Sequence, residues 1–463
     1  METEGLEVRA VVRPVDEIPP LRRLAPLGLQ HVLAMYAGAV AVPLIVGGAM
    51  ISAGRMSPDD LAHLVVADLF VSGIATIVQS VGFWRFGVRL PLMQGCTFAA
   101  VGPMVTIGDQ HGVPAIYGSV IASGIFIMLL APVFSRLLRF FPPLVTGTVI
   151  LLIGLSLMDV AAGWVGGGTG TDDFGDPANL LLALFTLVVV LLLDRLAPPA
   201  VRRVAILLGV LGGTLVAAVA GRVDFSGVQE QAWFGVPTPF AFGWPSFHLG
   251  PVIAMCVVGL VIMTETTGDI LAVGEIVDER LSPRDIADGM RADGLSTVLG
   301  GVFNTFPYTA FAQNVGLVSI SGVRSRWVAT FAGGLLVVLG LVPKLGAVVG
   351  AVPVAVLGGA GIALFGMVAA SGIRTLASCR LDDRALLMIA ISLGVGLLPT
   401  VSPDLYGRMP DWFQTVFDSG ISSGALVAVV LHQVLCAGSR APEEQTRATM
   451  EAASSTAGIA ARS

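Results

Sequence analysis

Gln313-Asn314-Val315-Gly316-Leu317-Val318-Ser319-Ile320-Ser321-Gly322 sets two adjacent carboxamides into a chain that is otherwise close to hydrocarbon in character. An unpartnered amide in lipid costs several kcal/mol, so a pair of them at membrane depth needs something polar to hold. Two readings are open: the pair binds a polar guest, or it glues neighbouring helices together. The residues just before it bear on the choice. Phe306-Pro307-Tyr308-Thr309-Ala310-Phe311-Ala312 cannot begin as a helix, because Pro307 removes a backbone donor and biases Phe306 to extended geometry. The amides therefore fall where a broken helix begins. Broken helices of this kind build polar sites near the bilayer midplane.

Working outward, composition sets the class. Hydrophobic residues make up 55% of the 463 and charged residues only 13%, which excludes an ordinary soluble domain. Several runs reach the roughly 20 apolar residues that a bilayer core requires. The 57 glycines and 27 prolines suit membrane helices that pack closely and break at chosen places. Cys96, Cys256, Cys379 and Cys436 lie scattered in or beside apolar segments, a spacing of neither a metal site nor a disulfide framework. The five histidines show no metal-ligand spacing either. Residues 1–20 are charged and proline-bearing, and no secretory leader is read there.

Fourteen apolar segments are read near 28–50, 61–82, 91–106, 114–134, 143–158, 178–193, 204–221, 248–266, 290–303, 309–322, 327–342, 348–370, 385–400 and 419–437. The third and tenth are short and interrupted by Gly, Pro and Thr, and they stand seven segments apart. Seven is odd, so a seven-plus-seven repeat has inverted halves, and paired interrupted segments are its pointer to a binding site. With the N-terminus inside, 22 of the 26 Lys and Arg residues fall on the cytoplasmic side. Only Arg55, Arg222, Lys344 and Arg408 fall outside.

Ionisable groups inside apolar runs come next. Glu265 and Asp269 close the eighth segment on one helix face, Asp293 opens the ninth, and His31 follows Gln30 in the first. Acids at depth are functional by default. For Asp269 and Asp293 the competing reading is an ordinary acid at the membrane interface. For His31 it is a structural histidine rather than a proton carrier.

These residues carry a resemblance. Gln313-Asn314-x-Gly316-x4-Ser321-Gly322 is similar to the signature of the nucleobase–ascorbate transporter family, Gln/Glu-Asn-x-Gly-x4-Thr-Arg/Lys/Gly. Gln30-His31, Gln94-Gly95-Cys96-Thr97-Phe98, Glu265-x3-Asp269 and Ala292-Asp293-Gly294 match it in family order, over about residues 24–438. Phe303-Asn304-Thr305-Phe306-Pro307-Tyr308-Thr309 before Gln313 resembles the xanthine and uric acid permease branch; the uracil branch has Glu in place of Gln313. Ser321 departs from the usual Thr but keeps the hydroxyl. Ala99 and Ala100 stand where xanthine-selective members have Asn and Phe, which leaves room for urate.

The resemblance implies an all-α polytopic protein of fourteen transmembrane segments in two inverted seven-segment repeats, with short extended pieces in segments 3 and 10. A core domain would take residues 25–142 and 248–345, and a gate domain 143–247 and 346–438. Cytoplasmic tails would span 1–24 and 439–463, the second disordered. It implies proton-coupled purine uptake across the plasma membrane by an elevator motion, in a homodimer, with no cofactor and no nucleic acid. Glu265 would accept from a purine N–H, and Gln313 would both donate and accept. Phe311 or Phe98 would stack on the ring, while backbone N–H groups at Ala312 and over Phe98, Ala99 and Ala100 would meet its carbonyl oxygens. Asn314, Gly316, Ser321, Thr97 and Gln30 would support the site, and Asp293, Asp269 and His31 would handle the proton. Sodium as coupling ion, a uracil substrate, and an anion transporter of the same fold are the alternatives.

Overall fold

A computed structural model describes residues 13–137 and 140–436. The expected tail over 439–463, and residues 1–12 of the N-terminal tail, lie outside them. The first half runs α1 (Leu21–Ser52), α2 (Pro58–Val81), strand β1 (Gln94–Cys96), a 3-10 turn (Phe98–Ala100), α3 (Val101–His111) and α4 (Val113–Leu137). It continues through α5 (Pro143–Val165), α6 (Pro177–Leu196), α7 (Pro199–Arg202), α8 (Ala205–Val219) and α9 (Ser226–Glu230). The second half runs α10 (Leu249–Val277), α11 (Pro283–Val302), strand β2 (Tyr308–Ala310), α12 (Ala312–Ser321), α13 (Arg326–Gly340) and α14 (Pro343–Gly350). It closes with α15 (Val354–Ala377), α16 (Asp383–Val401), α17 (Asp411–Phe417) and α18 (Gly420–Leu431).

The chain is thus helical apart from one two-stranded sheet among the described residues. Among the described residues, eight helices are long and apolar enough to cross a membrane, and nine if α13 and α14, bent by 79°, count as one span. That is fewer than the fourteen apolar segments, for physical reasons. Segments 3 and 10 each divide into a strand and a short helix, α8 and α18 are short, and α11 carries too many charged residues to read as a span.

Several boundaries move, three of them with a clear local cause. The eighth segment does not end near 266: α10 runs on to Val277, where Asp278 turns left-handed at φ 64°. The ninth does not start at 290. Ser282 and Asp285 form a reciprocal cap around Pro283, and α11 begins there. So Glu265, Asp269 and Asp293 all sit inside helices, not at their ends. The twelfth begins at Val354, because Pro353 separates it from α14.

Small residues set the helix crossings. A Cβ at Gly73 of α2 would stand 2.5 Å from the Gly333 carbonyl oxygen of α13. One at Gly124 of α4 would stand 2.6 Å from that of Gly294 on α11, and one at Gly154 of α5 2.4 Å from Ala369 N of α15. Without a hydrophobic drive between helices in lipid, such backbone approach supplies the dispersion contacts that hold them. Gly73→Val should therefore destabilise the protein by about 1–3 kcal/mol through overpacking. Gly334→Val, where a Cβ meets nothing within 4 Å, should leave it unchanged. Thermal unfolding of the detergent-purified variants reads the difference; equal melting temperatures would contradict the crossing.

Candidate functional site

β1 and β2 pair antiparallel, with Gln94 opposite Ala310, Gly95 opposite Thr309 and Cys96 opposite Tyr308. Thr97 N donates to Pro307 O at 2.9 Å and Phe311 N to Met93 O at 3.0 Å, extending the ladder at both ends. The broken segments thereby satisfy each other's backbone. Each strand then delivers a helix start. Thr97 Oγ1 accepts from Ala99 N at 3.2 Å before the turn into α3, and α12 opens at Ala312. The ring of Phe311 seats against two glycines: a Cβ at Gly95 of β1 would lie 2.6 Å from it, and one at Gly38 of α1 2.8 Å.

α10 is tied to this sheet. Thr266 Oγ1 lies 3.1 Å from Thr309 Oγ1 and accepts from Ala310 N at 3.2 Å. Its neighbours Glu265 and Asp269, one turn apart, are therefore held at strand level, each half-buried. Asp293 of α11 is fully buried. Its Oδ1 accepts from Gln79 Nε2 at 3.2 Å, and Gln79 is itself fixed by donating to Gly289 O at 3.2 Å and accepting from Val88 N at 3.1 Å. Thr266 and Gln94 adjoin the same carboxyl. Asp269 faces both Glu265 and Asp293, so the three acids form one electrostatic group. Among the described residues the ion pairs use Arg13, Arg291 and Arg326, and none reaches these acids.

The amide pair divides its labour. Asn314 is buried and donates to His31 O at 3.0 Å and to His31 Nδ1 at 3.1 Å, locking α12 to α1. An Nδ1 that accepts requires a neutral imidazole with its proton on Nε2. Gln313 is exposed instead, as are Ala312 and Gly316. Ser321 Oγ accepts from Val323 N at 3.3 Å and finishes α12. Gln30 is half-buried, beside His31 on α1. Ala99 and Ala100, expected to leave a wall of the site small, are fully enclosed in a hydrophobic cluster and present no open wall here. Phe98 lies edge-on to Phe365 of α15, 6.0 Å between centroids, and Phe365 lies 6.1 Å from Trp164 of α5.

The structure thus brings Glu265, Asp269, Asp293 and the strand ends together, with Gln313 three residues past β2. It places His31 and Asn314 on the α1 side as a structural pair. Sequence reasoning missed Gln79, Thr266 and Asp68. The fully buried Asp68 of α2, whose Oδ1 accepts from Tyr308 Oη at 2.8 Å, carried its own signal: a lone acid inside an apolar run.

Asn314→Ala removes both links to His31 and leaves buried groups unpartnered, a cost of about 1–3 kcal/mol. Its melting temperature in detergent should fall, while that of Gln313→Ala should hold. The reverse order would mean that Gln313, not Asn314, holds α12.

A family model described as "Permease family" (Xan_ur_permease) matches residues 22–405. The xanthine permease of Bacillus subtilis (strain 168) is 45% identical over 427 residues, 92% of this chain and 96% of that protein. The uric acid transporter UacT of Escherichia coli (strain K12) is 44% identical over 428 residues, 91% of this chain and 88% of that protein. Among solved structures, the transmembrane domain of a cyanobacterium bicarbonate transporter, BicA, superposes with a TM-score of 0.58 over 90% of this chain and 99% of that one. At 15% identity, that last likeness speaks for the fold alone. The chain is a multi-pass membrane permease and not an enzyme, and it belongs to the Xan_ur_permease family, the nucleobase–ascorbate transporters.

Proposed function

We propose that the protein takes up purine nucleobases, urate and xanthine foremost, across the plasma membrane together with a proton. The observation that carries this reading is Glu265. It is a half-buried acid with no ion-pair partner among the described residues. It stands beside Thr266, which bonds to β2, and α12, whose first turn carries the exposed carboxamide of Gln313, follows that strand. A carboxylate accepts from a ring N–H, and a carboxamide offers both donor and acceptor to the adjoining amide edge. Backbone N–H groups at Ala312 would meet a carbonyl oxygen, aided by the dipole of α12. Asp269, in electrostatic reach of both Glu265 and Asp293, would carry the proton together with Asp293.

The architecture proposed is fourteen segments in two inverted repeats, with the termini cytoplasmic. The helix pairings support it. α2 packs on α13 and α4 on α11, segments 2 with 11 and 9 with 4, which an inverted repeat exchanges. α6 packs on α8 as α16 packs on α18, and α5 on α15 and β1 on β2 are each their own image. In this scheme α1–α4 and α10–α13 form a core that moves like an elevator against a gate built mainly of α5–α8 and α15–α18, in a homodimer.

Two measurements test the reading. Glu265→Gln should reach the membrane yet lose uptake of radiolabelled xanthine and urate; near-normal uptake would remove Glu265 from the site. Voltage tests the proton. Urate is largely a monoanion at neutral pH and xanthine largely neutral, so one proton makes xanthine uptake electrogenic and urate uptake neutral. A potassium-diffusion potential across proteoliposomes should drive xanthine by about 2.3 kcal/mol per charge per 100 mV and barely affect urate. Equal voltage dependence would overturn the one-proton scheme. A sodium requirement without a response to pH would overturn the choice of ion.

A further inference from the structure

Residues 13–17, expected from the sequence to belong to a cytoplasmic tail, are fastened to the body of the protein. Pro14–Asp16 form a short 3-10 turn. Val15 at its centre is 2% exposed, although Arg13 and Pro14 before it and Glu17 and Ile18 after it are exposed. Its side chain joins a hydrophobic cluster built by the elements of the candidate site. Ala310 of β2, Val318 of α12, Ile270 and Val273 of α10, and Leu90 and Leu92 ahead of β1 all belong to it. Among the described residues, Val15 alone of the buried members comes from outside α10, β2, α12 and the approach to β1.

Hydrogen bonds hold the turn in place. Asp16 Oδ1 accepts from Arg326 Nε at 2.8 Å, and its Oδ2 accepts from Arg13 Nη2 at 2.7 Å. Trp327 Nε1 donates to Asp16 O at 3.2 Å, and Ser325 Oγ donates to Glu17 O. Arg326 Nη1 also donates to Ser80 O at 3.0 Å and Val81 O at 2.8 Å, the last carbonyls of α2. One guanidinium therefore joins the turn, the end of α2 and the start of α13. Arg13 pairs at 3.3 Å with Glu279, just past α10. Pro14, Pro19 and Pro20 fix φ along the segment, so it gives up little chain entropy in lying down.

We propose that Val15 and Asp16 are positioning residues for the substrate site, and that the strap over residues 13–17 is a floor under β2 and α12. The helix α12 has ten residues and packs on α10 and α1. A helix that short is marginal by itself, so the place of its opening N–H groups and of Gln313 depends on what it rests against. Asn314 ties its first turn to α1, and the Val15 cluster takes hold further along, at Val318. Asp16 acts through Val15: its carboxylate, gripped by Arg326 and Arg13, keeps the turn closed and the Val15 side chain seated. The inference rests on the substrate site proposed above.

The test uses two readouts on the detergent-purified full chain. Val15→Thr keeps the shape but sets a hydroxyl without a partner into an apolar cluster, and Asp16→Ala releases both arginines. Hydrogen–deuterium exchange over residues 312–321 should quicken in both variants while α5 and α15 keep their protection. Affinity for radiolabelled xanthine should fall about tenfold in both, and Asp16→Glu should retain it. Glu17→Gln should change neither readout, because the strap bonds through the Glu17 backbone oxygen and not its carboxylate. Unchanged exchange of α12, or unchanged xanthine affinity, in both variants would overturn the assignment. Faster exchange spread equally over α5 and α15 would overturn it too, as general packing. If the unsubstituted protein binds no purine, the substrate reading fails, and the exchange of α12 still decides whether the strap is its floor.

Discussion

The pairing of β1 with β2 is the constraint on which the rest depends. Two segments that cannot finish a helix leave backbone donors and acceptors bare at a depth where water does not satisfy them. Each solves the other's problem through the ladder from Met93–Phe311 to Thr97–Pro307. The solution fixes much else. It draws α10 in through Thr266, sets Phe311 against Gly38 and Gly95, and points the starts of α3 and α12 out of the same small sheet. A free helix start inside a membrane protein is a set of oriented N–H groups with a partial positive charge, which a polar, electron-rich guest can use.

The second constraint follows from the first. Asp269 stands close enough to interact with both Glu265 and Asp293, and no basic side chain pairs with the three among the described residues. Three carboxylates cannot all stay charged in a low-dielectric interior without a compensating cation or proton. Gln79 offers Asp293 one hydrogen bond, which orients the carboxyl but does not neutralise it. Such an arrangement stores a demand for positive charge. A transporter that binds a proton with its cargo meets that demand in one state and releases it in another.

Much of this was legible in the residues themselves. Pro307 forbids a helix start, and the chain is extended there; the Gly95 and Pro103 surroundings mark the matching break, and the two breaks pair. What failed was depth. Hydropathy alone ends the eighth segment at Thr266 and begins the ninth at Met290, because the acids, threonines and arginines beyond those points look like loop. The capping box at Ser282 and the left-handed Asp278 are the real ends, and both are short-range signals that an apolar window averages away. Ala99 and Ala100 raise a separate point, since both are buried here. Small side chains leave room only if the neighbouring surface does not close over them, and the cluster that encloses them comes from residues distant in sequence. Asn314 and Gln313 are adjacent in the chain, and only the three-dimensional placement of His31 separates a structural amide from an exposed one.

The distribution of polar contacts bears on how such a protein moves. The bonds that build the site run among α1, α2, α10, α11, α12 and the two strands: Asn314 to His31, Gln79 to Asp293, Thr266 to β2, Tyr308 to Asp68. Toward α5 and α15 the contact at the site is apolar, with Phe98 meeting Phe365 edge-on and Phe365 meeting Trp164. Sliding one aromatic surface over another exchanges one set of dispersion contacts for another, whereas breaking a buried hydrogen bond at membrane depth costs the full desolvation of its partners. A boundary of aromatic rings beside a body knitted by hydrogen bonds is therefore the one that would give way first, letting the site travel whole. That is the mechanical requirement of the proposed elevator: the strand ends, Glu265 and the start of α12 keep their mutual geometry while the aromatic wall opposite them changes.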